Sequence, residues 1–163
     1  MEAVGIILKN ICIVGVYRPP SYPYEQFVSS FTNVLMEIQH LQLPTVIVGD
    51  FNVNTLLSSN RKFEKKLNEY GYIQMINEPT TESGTCLDLV FLKGLSDRTT
   101  VKLLPTHNSF HEALKYQLKT SRNNRDMKKQ HYLLHWIKYI ICILRTYIRL
   151  DYNCGDDCII HYY

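Results

Sequence analysis

The hydrophobic pattern changes period several times along the chain, and each change marks an element. Residues 3–8 and 11–17 are apolar runs on either side of Lys9-Asn10, which predicts a tight hairpin turning at those two polar residues. Tyr17-Arg18-Pro19-Pro20 closes the second run, because consecutive prolines fix φ and cannot donate to a ladder. From 24 to 41 the spacing becomes helical. Phe27, Phe31, Val34, Leu35, Ile38 and Leu41 form one apolar stripe, which predicts a helix lying on a sheet with its aromatic positions in the core. Ser21 and Pro23 suit its start, and Pro44 follows its end.

The run Pro44-Thr45-Val46-Ile47-Val48-Gly49-Asp50-Phe51-Asn52 is continuously apolar until it stops at a glycine and two polar groups. Its β-branched content predicts a strand buried on both faces. Residues 60–70 return to helical spacing through Phe63, Leu67 and Tyr70, with Gly71 placed to terminate the helix. Arg61, Lys62, Lys65 and Lys66 occupy its other faces; a solvated surface and a phosphate-binding patch both fit such a run. A strand is expected over 72–76 and a loop over 78–84. Residues 85–92 alternate, with Thr85, Leu87, Leu89 and Phe91 on one side and Cys86, Asp88, Val90 and Leu92 on the other. Two further strands, 99–104 and 113–118, flank a loop that carries His107 and His111.

Two of these elements carry polar groups with chemical potential. If the chain stays extended past Gly49, Asp50 and Asn52 project to one side while Phe51 turns to the core. The competing reading is a turn in which Asp and Asn bond their own backbone. Asp88 is a carboxylate inside an apolar strand, and burying an unpaired charge is costly. It therefore belongs at a sheet rim or beside a partner, and the histidines of the 105–112 loop are the candidates.

In order, the segments Tyr17-Arg18-Pro19-Pro20, Gly49-Asp50-Phe51-Asn52, Leu87-Asp88-Leu89-Val90-Phe91 and Ser109-Phe110-His111-Glu112-Ala113 resemble the endonuclease/exonuclease/phosphatase family, in particular the endonuclease domains of mobile elements such as retrotransposons. The resemblance covers roughly 3–118 and corresponds to the C-terminal part of the family domain. It implies an α+β fold, a deoxyribonuclease-like two-sheet β-sandwich flanked by helices and truncated at its N-terminus. It also implies hydrolysis of DNA phosphodiester bonds assisted by a divalent ion, Mg²⁺ suiting oxygen ligands. Residue by residue, Asp50 matches the group that orients or deprotonates the attacking water, and Asn52 matches an amide supporting the phosphoryl group. His111 matches a donor to the phosphate, Asp88 the carboxylate that holds that histidine, and Tyr17 a tyrosine near the scissile phosphate.

The pattern departs from the family in two places. Phe110 stands where the family has an acidic residue, and a phenyl ring neither ligates a metal nor accepts a proton. The family's early Asn and metal-binding Glu precede the Tyr17 region, whereas here Glu2 is the only acid before Tyr17. The expectation is a truncated, weak or inactive endonuclease, its first strand left with an exposed edge or completed by another chain. A same-fold phosphatase and a non-catalytic remnant or interaction module are the alternatives.

Composition adds a boundary. The formal charge of +3 divides unevenly, since 1–118 holds 10 Lys/Arg against 11 Asp/Glu and 119–150 holds 8 against 1. The basicity thus belongs to the tail after residue 118 and gives no footprint of a nucleic-acid groove on the body. The chain divides into a partial endonuclease-like domain (1–118), a basic linker (119–131) and a hydrophobic tail unrelated to the family (132–163). Within the tail, 132–150 approaches membrane-spanning length, but His135, Lys138, Arg145 and Arg149 interrupt it. Each central basic residue costs about 2.5 to 3.5 kcal/mol, so surface contact through a basic interfacial helix fits better than a span. Sequence read through beyond a broken gene end is the other reading of the tail. Cys154, Cys158 and His161 do not match a usual zinc spacing. The 5 cysteines, an odd number behind a start with no secretory pattern, predict a reducing intracellular setting, nuclear or cytoplasmic.

Overall fold

The computed structural model of the chain describes residues 1–8, 10–104, 113–118 and 158–162, the last two segments by their backbone. Its first hairpin is the expected one: β1 (Glu2–Leu8) pairs antiparallel with β2 (Ile11–Tyr17). Helix α1 (Tyr24–His40) then carries the chain over the sheet to β3 (Thr45–Asp50), which lies parallel to β2, as a helical crossover permits. The stripe read from the sequence is the buried face of α1, with Phe27, Phe31, Val34, Leu35 and Ile38 all in the core. Helix α2 (Arg61–Glu69) buries Phe63 and Leu67. It ends where Gly71 adopts φ +83°, a left-handed conformation that a glycine enters without a Cβ penalty.

The remaining strands are β4 (Ile73–Gln74), β5 (Asp88–Lys93), β6 (Thr99–Leu104), β7 (Ala113–Leu118) and β8 (Cys158–Tyr162). Six of the strands form one sheet in the order β4-β5-β3-β2-β1-β8, while β6 and β7 make a separate antiparallel ribbon. At the outer side of β1 the expected exposed edge is absent, because β8 pairs antiparallel along Val4 to Leu8 and takes up its backbone groups. Residues 119–131 and 132–150 lie outside the described residues. No helix among the described residues is long and apolar enough to cross a membrane.

β3 is the spine of the sheet, and its residues Val46, Ile47 and Val48 are buried. Gly49 is required there by close approach, since a Cβ at that position would lie 1.8 Å from the backbone oxygen of Val16 in β2. On the helix side, Phe51 packs against Phe27, Phe31, Phe63 and Phe91 with ring centroids between 5.6 and 6.1 Å apart. Successive strand residues point to opposite faces. Phe91 therefore fixes Leu89 on the helix side and places Asp88, Val90 and Leu92 on the other. Val90 and Leu92 are nevertheless fully buried, so both faces of the sheet are covered.

Two elements begin or end differently from the sequence expectation. The strand read over 72–76 shrinks to Ile73–Gln74, where Gln74 turns back through Oε1 to the N–H of Ile76 at 3.0 Å and through Nε2 to the Ile76 oxygen at 2.7 Å. The strand read from Thr85 starts only at Asp88. The N–H groups of Cys86 and Leu87 are taken by the side chains of Asn54 and Thr80, and these side-chain bonds from other segments replace a strand ladder.

Candidate active site

The sheet register assembles a row of polar residues at one end of the molecule. Glu2 pairs with Tyr17, Tyr17 with Asp50, and Asp50 with Asp88 across four adjacent strands. Residues opposite one another on neighbouring strands share a face, so the row lies on the side of the sheet away from the helices. Asp88 is only 4% exposed, Tyr17 and Asp50 are half-buried, and Glu2 is exposed. Asp88 is also the first residue of β5, at the rim where a carboxylate within an apolar strand was expected.

Asn52 reaches this end of the sheet by a turn and not by extension. β3 stops at Asp50, and Asn52 sits at φ +48°. The Asn52 N–H donates to Asp50 Oδ1 at 3.0 Å, the local bond by which Asp commonly organises a turn. The extended continuation past Gly49, with Asp50 and Asn52 side by side at i and i+2, is therefore corrected. The reason is that the carboxylate captures the backbone two residues on. Asn52 Nδ2 donates to the Arg18 carbonyl at 2.7 Å, while the Arg18 N–H donates to the Asp50 carbonyl at 2.9 Å.

A second set of bonds fixes Asp88. Thr80, fully buried, accepts the N–H groups of Leu87 and Asp88 on its hydroxyl oxygen, each at 3.0 Å. The Phe51 N–H donates to the Leu87 carbonyl at 2.9 Å. Asn54 Oδ1 accepts the Cys86 N–H at 3.1 Å. The turn after β3 and the approach to β5 thus hold one another, which fixes the backbones of Asp50 and Asp88 as a pair.

The sequence expectation brought Tyr17, Asp50, Asn52, Asp88 and His111 together. The structure places the first four at one end of the sheet, and Phe110 and His111 lie outside the described residues. Sequence reasoning missed Thr80, Asn54 and Arg18, as well as the position of Glu2 in the row. Thr80 carried a faint signal, a β-branched hydroxyl residue directly after a proline in an otherwise polar loop. Arg18 stood in the Tyr17-Arg18-Pro19-Pro20 segment, but its role carried no signal, because its partners are carbonyl groups that no side-chain pattern announces.

The thiols of Cys12 and Cys86 belong to the core. Cys12 and Cys86 are buried and free; burial pushes the Cys12 thiol up to about 11 and raises that of Cys86, so both stay protonated and weakly nucleophilic near neutrality. Asp50 and Asp88 offer oxygen donors, which hard divalent cations prefer, and Mg²⁺ commonly needs only one or two carboxylates beside water and substrate oxygens. Among the described residues no group of three or more His, Cys, Asp or Glu is placed to hold a metal ion.

Residues 3–122 match the family described as Endonuclease/Exonuclease/phosphatase family. Among solved structures, the chain is similar to the endonuclease domain of TRAS1, a telomere-specific non-LTR retrotransposon, with a TM-score of 0.61 at 16% identity. The match covers 74% of this chain and 63% of that one, so the chain spans less than two thirds of that domain. At this identity the likeness is one of fold. No curated protein matches the chain.

Proposed function

The chain belongs to the endonuclease/exonuclease/phosphatase family, and from that membership we propose that it is a divalent-metal-dependent endonuclease that hydrolyses DNA phosphodiester bonds slowly. The observation that carries this reading is the row in which Tyr17, Asp50 and Asp88 fall on one face at one end of the sheet. Asp50 orients and deprotonates the water that attacks the phosphorus in line. Asn52, anchored through its amide nitrogen, supports the phosphoryl group, and Tyr17 contacts the scissile phosphate. Asp88 holds His111, which donates to a phosphate oxygen. Asp50 and Asp88 would offer oxygen donors to a Mg²⁺ ion, which would neutralise phosphate charge.

The β6–β7 ribbon fits the second layer of a sandwich. Val101 of β6 packs against the core, and the apolar residues on the helix-free face are buried, as sheet-on-sheet packing requires. Phe110 in place of an acid supports a slow enzyme and also favours the second reading, a non-catalytic module that keeps the fold without the reaction. A phosphatase of the same fold differs from the endonuclease only in substrate.

The discriminating experiment is nicking of supercoiled plasmid with Mg²⁺, with EDTA, and by Asp50→Ala. The expected result is slow nicking that both EDTA and the substitution abolish. Nicking that is indifferent to Asp50→Ala contradicts the assignment, and no nicking above the EDTA blank supports the non-catalytic reading. Faster release of phosphate from a nucleoside monophosphate than nicking of DNA identifies the phosphatase.

A further inference from the structure

Arg18 is a cation in the core. It is 8% exposed, and burying a charge is costly unless hydrogen bonds satisfy it. Its Nε and Nη2 donate to the Tyr22 carbonyl at 3.1 and 2.7 Å, and its Nη1 donates to the Asn52 carbonyl at 2.7 Å and the Phe51 carbonyl at 3.4 Å. The guanidinium carbon stands 5.6 Å from the centroid of the Phe27 ring, a distance at which a cation is drawn to the aromatic face. The main chain of the same residue reaches the same turn, through its N–H to the Asp50 carbonyl and through its carbonyl from Asn52 Nδ2.

We propose that Arg18 is a positioning residue for phosphodiester hydrolysis, its guanidinium locking the Asp50–Asn52 turn so that the Asn52 amide keeps its place at the end of β3, bonded to the Arg18 carbonyl. The turn needs such a lock. Asn52 occupies the left-handed region, which a residue with a Cβ holds only when its surroundings determine it. One planar fork joins the Tyr22 carbonyl, which leads into α1, to the Asn52 carbonyl, so the turn is tied to the helix layer from behind. A lysine has the charge but not the fork, and one ammonium does not reproduce this planar bridge. The Asp50 carboxylate holds the same turn from its own side through the Asn52 N–H, and the guanidinium holds it from the helix side.

The proposal rests on the endonuclease reading, and its test separates the two. In the ¹⁵N-labelled full chain, the Arg18 Nε–H and the Asn52 side-chain amide protons are expected to exchange slowly with water. The Asn52 pair is assigned by its loss in Asn52→Asp. In Arg18→Lys the pair should move to the shifts of a free amide and exchange at least about tenfold faster, while core amides keep their dispersion. With plasmid substrate the same variant should lose about 10- to 100-fold in kcat with KM unchanged, the signature of a displaced reacting group. Fast exchange of these protons in the unsubstituted chain, an unmoved Asn52 pair in folded Arg18→Lys, or full kcat with lysine overturns the proposal. If the unsubstituted chain fails to nick DNA, the endonuclease reading fails, while the exchange measurement still decides whether Arg18 locks the turn.

Discussion

The two faces of the sheet at the end of β3 do opposite work within three residues of sequence. On the helix side, Phe51 completes a cluster with Phe27, Phe31, Phe63 and Phe91, and Arg18 lies in the same layer over Phe27. On the other side, the row of Tyr17, Asp50 and Asp88 presents a hydroxyl and two carboxylates. The apolar face supplies rigidity, and the polar face carries the groups to which we assign the chemistry. Alternation along the strand makes them chain neighbours, so Asp50 is held by a residue that only packs. The difference teaches that the precision of Asp50 is set on the face where Asp50 itself does not point.

Substitutions on the helix side should therefore cost stability first. Phe51→Ala empties the centre of the ring cluster and is expected to lower unfolding free energy by about 3 to 5 kcal/mol, read from the urea midpoint. A cost below about 1 kcal/mol would break the comparison, because it would mean that the cluster collapses around the gap. Thr80→Val is the intermediate case. It keeps the side-chain volume but removes the acceptor of two N–H groups, one buried and one part-buried, for an expected loss of about 1 to 3 kcal/mol. Unchanged stability in Thr80→Val would show that the approach to β5 is held by the ladder alone.

The parts of the fold that were legible in the sequence are those set by local period. The stripe from Phe27 to Ile38 gave α1, the β-branched run before Gly49 gave β3, and the glycine at 71 closed α2. What was not legible depends on bonds between distant residues. The start of β5 is displaced because Asn54 and Thr80 reach across from other segments, and propensity within 85–92 does not contain that information. Of the candidate site, the identities of Tyr17, Asp50, Asn52 and Asp88 followed from motif order. Their alignment in one row came from register, which joins a parallel pair to an antiparallel one. A turn after Asp50 was open in the sequence as an alternative to extension, and the Asp50 carboxylate decides it; its left-handed form at Asn52 was not legible. β8 pairs with β1 although it comes from a segment whose composition breaks with the rest. Its role as an edge cover follows from the unpaired side of β1 and not from any pattern in the tail.

The smallest structural change belongs to the other face, and it tests the central claim most directly. Asp88→Asn keeps the shape of the side chain and removes its charge, so Mg²⁺-dependent plasmid nicking and the thermal midpoint are measured on the same preparation. The expected result is nicking reduced to the EDTA level, with a midpoint shift smaller than that of Thr80→Val. Nicking at the unsubstituted rate would contradict the account, because it would place the chemistry somewhere other than the row that Tyr17, Asp50 and Asp88 share.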